Sequence, residues 1–136
     1  MKSLKILPLF ILSVGLFLSS CKKEAEDRIP GDWTVTITNT ETDMPAGGTA
    51  STESETGIGT AKFNEDGTGT ITVWGETVSL TWSATEENVT LTIDGDILIL
   101  EIVENEKNTQ EWKMTEKESD GNGGTYEYTL VIKLTK

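Results

Sequence analysis

Residues 68–93 read TGTITVWGETVSLTWSATEENVTLTI, and within this stretch apolar and hydroxylated side chains trade places almost residue by residue. Ile71 and Val73 alternate with Thr70 and Thr72; Val78, Leu80 and Trp82 with Thr77, Ser79 and Thr81; Val89, Leu91 and Ile93 with Thr90 and Thr92. Successive side chains of an extended chain point to opposite faces, so a period of two gives each segment one oily and one hydroxylated face. That is the pattern of a half-buried strand. The polar turn Ala84 to Asn88 is short enough that the strands it joins must be antiparallel neighbours.

The same alternation extends both ways. Upstream, Trp33, Val35 and Ile37 alternate with Thr34, Thr36 and Thr38, and Ala61 and Phe63 precede the turn signal Glu65-Asp66-Gly67. Downstream, Asp94-Gly95 leads into Ile97-Leu98-Ile99-Leu100, continued by Ile102 and Val103. Apolar residues on both faces predict that this is the most buried strand, covered on both sides or lying at an interface. Trp112 and Met114 mark a seventh strand, and Tyr126, Tyr128, Leu130, Ile132 and Leu134 an eighth. The chain has 22 Thr, a β-branched load that favours strands, and no segment carries a 3.6-residue apolar stripe. Eight short strands with polar turns predict an all-β, up-and-down antiparallel β-barrel, because closure removes exposed edges; a β-sandwich is the alternative. The exception to short connections is Glu41 to Gly57, which has almost nothing to bury and predicts a mobile loop.

Residues 1–20 carry Lys2 and Lys5, an apolar run from Ile6 to Leu18, and small Ser19 and Ser20, a secretory pattern. As a helix that run would span about 20 Å, short of the roughly 30 Å hydrocarbon core. Leu18-Ser19-Ser20-Cys21 resembles the lipobox of bacterial lipoproteins. The resemblance implies a signal peptide over 1–20, an acylated tether over 21–30 and a barrel domain over 31–136, with Cys21 bearing a diacylglycerol thioether and an amide-linked acyl chain. At roughly 0.8 kcal/mol per buried methylene, several chains make a stable membrane anchor. Lys22-Lys23-Glu24-Ala25-Glu26-Asp27 is similar to the acid-rich surface-export signal that follows the cysteine in some Gram-negative lipoproteins. The expected location is therefore the outer membrane, at the cell surface, with a periplasm-facing orientation as the alternative.

Charge and composition exclude much chemistry. Of eleven Lys+Arg, Lys2 and Lys5 lie in the leader, whereas all 23 Asp+Glu follow it; nine bases against 23 acids give the mature chain a net charge of −14. Phosphate backbones would repel it, so no nucleic-acid partner is expected. His is absent and Cys21 is the single cysteine, which removes structural zinc, His- or Cys-based nucleophilic catalysis and intrachain disulfides. No catalytic residue, cofactor or metal is expected, and Asp120-Gly121-Asn122-Gly123-Gly124 lacks the ligand spacing of a calcium loop and reads as a hairpin turn.

Pro30-Gly31-Asp32-Trp33 opens the first strand and resembles the first lipocalin motif. Phe63-Asn64-Glu65-Asp66-Gly67-Thr68-Gly69-Thr70, Leu80-Thr81-Trp82-Ser83 and Val89-Thr90-Leu91-Thr92-Ile93 are together similar to the small lipocalin-like lipoproteins of Gram-negative bacteria. The resemblance implies a ligand-binding barrel whose floor is closed by Trp33. It departs from the lipocalin pattern in lacking an Arg on the last strand, where Lys133 is a poor substitute, and in lacking the Thr-Asp-Tyr motif and C-terminal helix. Trp74 is out of phase with Ile71 and Val73 and is followed by Gly75; exposed, it could stack with Tyr126 on a sugar or an apolar ligand. Glu101 interrupts an apolar strand and becomes a pocket residue if buried. The expected function is non-enzymatic binding of a small apolar or amphipathic ligand, or else docking of a partner protein through a sheet edge or the Ile97–Val103 strand.

Overall fold

A computed structural model describes residues 25–136; the leader, Cys21 and the first residues of the expected tether lie outside the described residues. A short helix α1 (Ala25–Arg28) precedes eight strands: β1 (Gly31–Met44), β2 (Ser51–Phe63), β3 (Thr68–Val73), β4 (Glu76–Ala84), β5 (Asn88–Ile93), β6 (Asp96–Asn105), β7 (Thr109–Ser119) and β8 (Thr125–Thr135). Each strand pairs antiparallel with the next, and β1 closes on β8 with Val35 opposite Leu134 and Ile37 opposite Ile132. This is a closed up-and-down barrel of lipocalin-like architecture, not a sandwich. Apolar side chains point inward and threonines outward, the reverse of a barrel that faces lipid.

The aromatic residues fill one end. Phe63 meets Trp82 and Trp112 edge-on, with ring centroids 6.0 and 5.6 Å apart, a geometry favoured by the ring quadrupoles. Their polar atoms are satisfied: Trp33 Nε1 donates to the Ile29 carbonyl (2.7 Å) and Trp82 Nε1 to the Asn64 carbonyl (3.0 Å). Buried Gln110 donates to Asn105 Oδ1 (2.7 Å) and the Glu106 carbonyl (3.0 Å). Lys136 Nζ lies 4.3 Å from the Trp33 ring centroid. The cation over the floor tryptophan thus comes from Lys136, while Lys133 faces outward toward Glu111 (3.8 Å).

Three expectations are corrected. The tether expected over 21–30 does not continue to Pro30: residues 25–28 are helical, and Ala25 and Ile29 are fully buried against the aromatic floor. One Ala and one Ile, spaced four apart on a helical turn, suffice to cap the barrel end. The segment from Glu41 to Gly57 is largely strand, with β1 and β2 paired from Gly31–Phe63 to Asp43–Ser51. Backbone pairing and outward hydroxyl contacts hold it, Thr38 to Thr56 at 3.2 Å, Thr40 to Ser54 at 3.0 Å and Thr42 to Thr52 at 3.1 Å; such cross-strand pairs stabilise a sheet without burying apolar area. Finally, Ile97 to Val103 is not the most buried strand. Leu98, Leu100 and Ile102 face the core, but Ile97 and Ile99 stand outward, 65% and 59% exposed.

Strand lengths are unequal. The strands β1, β2, β7 and β8 have 14, 13, 11 and 11 residues, whereas β3 and β5 have 6 each. Pairing of β2 with β3 stops at Thr60–Thr72, and that of β6 with β7 is confined to the stretch beyond Glu101–Lys113. The four longer strands therefore rise past the mouth as a tall wall facing a short one.

Because Ile29 is fully buried, Ile29→Ala should destabilise the domain by about 2–4 kcal/mol, read as a lower urea midpoint with unchanged m-value. A change near zero would mean that the segment before Gly31 is a mere tether.

Candidate ligand-binding site

Above the aromatic floor, the inward positions of the strands become aliphatic and the side chains stop meeting across the axis. The result is a cup of about 270 Å³ walled by Ile37, Ile71, Val78, Leu91, Leu98 and Leu130, with Trp74 and Glu76 at its lip. Larger hollows of about 420 Å³ beside Asp32 and Lys62, and about 460 Å³ beside Glu86 and Glu101, lie on the outer wall and at a turn. The cup is the one walled mainly by inward-facing apolar side chains, which is the character of a small-molecule site.

Trp74 reaches its place through an unfavourable backbone. It occupies the first position of the two-residue β3–β4 turn with φ 52°, followed by Gly75 at φ 77°. Left-handed conformation at both central residues is what a type I′ hairpin demands, and such turns prefer Asn or Asp at the first, as at Asp94 (φ 53°) in the matching β5–β6 turn. A bulky residue there costs roughly 1–2 kcal/mol, so the indole is held at the mouth against local preference. It lies over Gly57: an added Cβ at that glycine would sit 2.3–2.6 Å from the ring. Half exposed and half packed, Trp74 forms part of the lip.

Above the cup, the inner face of the tall wall changes character. By alternation from Ile37, the inward residues of β1 are Asn39, Glu41 and Asp43. Opposite them stand Glu55 and Glu53 on β2, and Leu130, Tyr128 and Tyr126 on β8. On β7, Glu116 faces Tyr128 and Glu118 faces Tyr126. Tyr128 donates to Asn39 Oδ1 at 3.1 Å. The Tyr126 hydroxyl is pushed above its ordinary value, first by its hydrogen bond to the Glu41 carboxylate, then by desolvation and by nearby negative charge. Tyr128 is also raised, first by burial and then by the charges of Glu41 and Glu116.

The sequence-predicted residues separate into four places. Trp33 is buried at the floor, bonded to the Ile29 carbonyl, and does not line the cup. Trp74 belongs to the lip of the cup. Tyr126 is on the acidic wall opposite Asp43, six residues along β1 from Ile37 and thus about 20 Å away, so it does not form one stacking platform with Trp74. Glu101 is exposed on the outward face of β6, opposite Asn88 and Lys113, where it lines the outer hollow beside the β4–β5 turn and does not point into the cup; its position two residues after Ile99 keeps it on the solvent side. The cup aliphatics carry no mark in the sequence that separates them from core, and the wall is hidden there because Glu41 to Gly57 buries too little to look like strand. Alternation of Asn39, Glu41 and Asp43 with threonine was the available signal. At the tip of the β7–β8 hairpin, Asp120 Oδ1 accepts from the amides of Asn122 (2.7 Å) and Gly124 (2.9 Å), so that segment is a turn, as expected. Among the described residues, no group of three or more His, Cys, Asp or Glu is placed to hold a metal ion. No family model matches the chain, and no curated protein shows significant sequence similarity to it.

The chain has two tyrosines, so tyrosinate absorbance reports on the wall directly. Its midpoint should lie above the ordinary 10.0, and Glu41→Gln should bring it back toward that value. A wild-type midpoint at 10.0, or no response to the variant, would contradict the wall's geometry. Because folding raises both values, the stability these hydroxyls contribute is fully present below the ordinary 10.0 and is lost as pH rises from there through the raised values.

Proposed function

We propose that this protein is a non-enzymatic, lipid-anchored lipoprotein of the outer membrane, exposed at the cell surface, whose barrel receives a small apolar or amphipathic ligand in the cup beside Trp74. The cup carries this reading: an aliphatic cavity of about 270 Å³, at roughly 30 Å³ per water-sized group, accommodates on the order of nine methylene-sized groups. A tryptophan held at its lip in a costly backbone conformation supports the same view, since local strain collects at functional positions. The anchor rests on the Leu18-Ser19-Ser20-Cys21 resemblance.

A second reading is favoured by a separate observation. Ile97 and Ile99 expose two adjacent outward apolar positions on β6, along a stretch with a partner on β5 but none on β7. Such an edge suits docking of another protein by strand addition.

An environment-sensitive apolar dye should bind the chain of residues 21–136 saturably. That segment contains the whole buried core described above, and Cys21→Ser keeps it unacylated. Val78→Trp, which fills the cup, should weaken binding at least tenfold, and Gly57→Ala should turn the Trp74 indole outward, red-shift its emission and lower dye affinity. Binding that persists unchanged in both variants would remove the cup as the site and favour the edge. For the anchor, mass spectrometry of the N-terminal peptide from membranes should find Cys21 as the first residue, carrying acyl chains; an unmodified cysteine, or an uncleaved leader, would refute it.

A further inference from the structure

We infer that the ligand of the cup is a cationic amphiphile, with a short hydrocarbon group seated among the aliphatic side chains and a positively charged nitrogen lying against the carboxylates and tyrosines of the tall wall. The inference rests on the reading of the cup as a ligand site and adds the charge class of the ligand.

Its basis is the sorting of charge between two faces of the same four strands. On the outer face the signs are mixed and paired, with Lys117 2.9 Å from Glu127 and Lys133 3.8 Å from Glu111. The inner face carries Glu41, Asp43, Glu53, Glu55, Glu116 and Glu118. Every described base is elsewhere: Lys62, Lys113, Lys117 and Lys133 alternate onto the outer face, while Arg28, Lys107 and Lys136 gather at the floor end. A face that is merely solvated would be expected to mix its charges as the outer one does.

The register adds a second observation. Glu41 and Glu53 are direct cross-strand partners, and like charges directly opposite destabilise a sheet. No described cation relieves this pair from within the chain. A bound positive charge would. The carboxylates sit about 7 Å apart along each strand and about 5 Å apart across the Glu41–Glu53 pair; among the described residues no three of them converge as a metal site would need, whereas an organic ammonium group needs no such convergence. Tyr126 and Tyr128 stand among them and supply ring faces, which attract cations through their quadrupole. Distance also fits: Glu55 is one inward step above Gly57, where the Trp74 indole lies, and Glu41 is two steps above Ile37 in the cup. An anionic or zwitterionic headgroup would meet the same field with repulsion or little net attraction.

Matched decyl probes below their micellar concentrations decide the matter, measured by calorimetry on the chain of residues 21–136 carrying Cys21→Ser. Decyltrimethylammonium should bind about tenfold or more tightly than uncharged decyl glucoside at low ionic strength, and decyl sulfate should bind more weakly still. The preference should shrink in 0.5 M salt and in the triple variant Glu41→Gln, Glu55→Gln, Glu116→Gln, whose exposed side chains leave the core untouched. Equal binding of all three probes would overturn the charge assignment and leave the cup intact as an apolar site. Equal affinity for decyltrimethylammonium and tetramethylammonium would overturn the inference in the other direction, reducing it to surface ion exchange. If none of the decyl probes binds, the reading of the cup falls, and the inference with it.

Discussion

Closure of an alternating sheet on strands of unequal length is the constraint from which the other features follow. Inward apolar and outward hydroxyl positions commit each strand to one face, because a slip of a single residue would turn the whole set over. Closure through β1 and β8 then removes the edges over the shared height of the barrel. Where β3 to β6 stop and their neighbours continue, the same alternation can no longer build a core, since the opposing wall is missing. The inward positions above that level are therefore free to be polar, and there they become carboxylates and tyrosines.

Filling differs from one end to the other for the same reason. At the floor, Phe63, Trp82 and Trp112 meet across the axis, and Ala25 and Ile29 close what the aromatics leave. Interiors pack at nearly crystalline density only where side chains can interdigitate. Ile37, Ile71, Leu91 and Leu130 are too short to meet across the barrel, and a cavity remains. The gradient from aromatic floor to aliphatic cup to charged wall is thus a gradient of side-chain size and polarity along each strand.

The strand count and the antiparallel topology were legible in the sequence because a period of two needs no tertiary information, as residues 68–93 illustrate. The burial of Trp33 was legible through its phase with Val35 and Ile37. What failed did so where burial and secondary structure part company. Glu41 to Gly57 buries little and so looked like a loop, yet its pairing with β1 and its hydroxyl contacts make most of it strand. Ile97 and Ile99 looked buried because they are apolar, but hydropathy alone does not reveal whether a second layer exists to cover them. Pairing Trp74 with Tyr126 required knowing that one sits at the top of a short hairpin and the other far up a tall one.

Charge is sorted along the barrel axis as well as between its faces. Acids crowd the open end, where Glu76, Asp94 and Asp96 on the short side join those of the wall, and the bases Arg28, Lys107 and Lys136 gather around the opposite end. Those bases are outnumbered where they stand, by Glu26 and Asp27 of α1 and by Glu65, Asp66, Glu86, Glu87 and Glu106 in the floor-end turns. At the mouth, by contrast, the inward positions carry acids with no described base among them, and the field there draws positively charged solutes to the entrance.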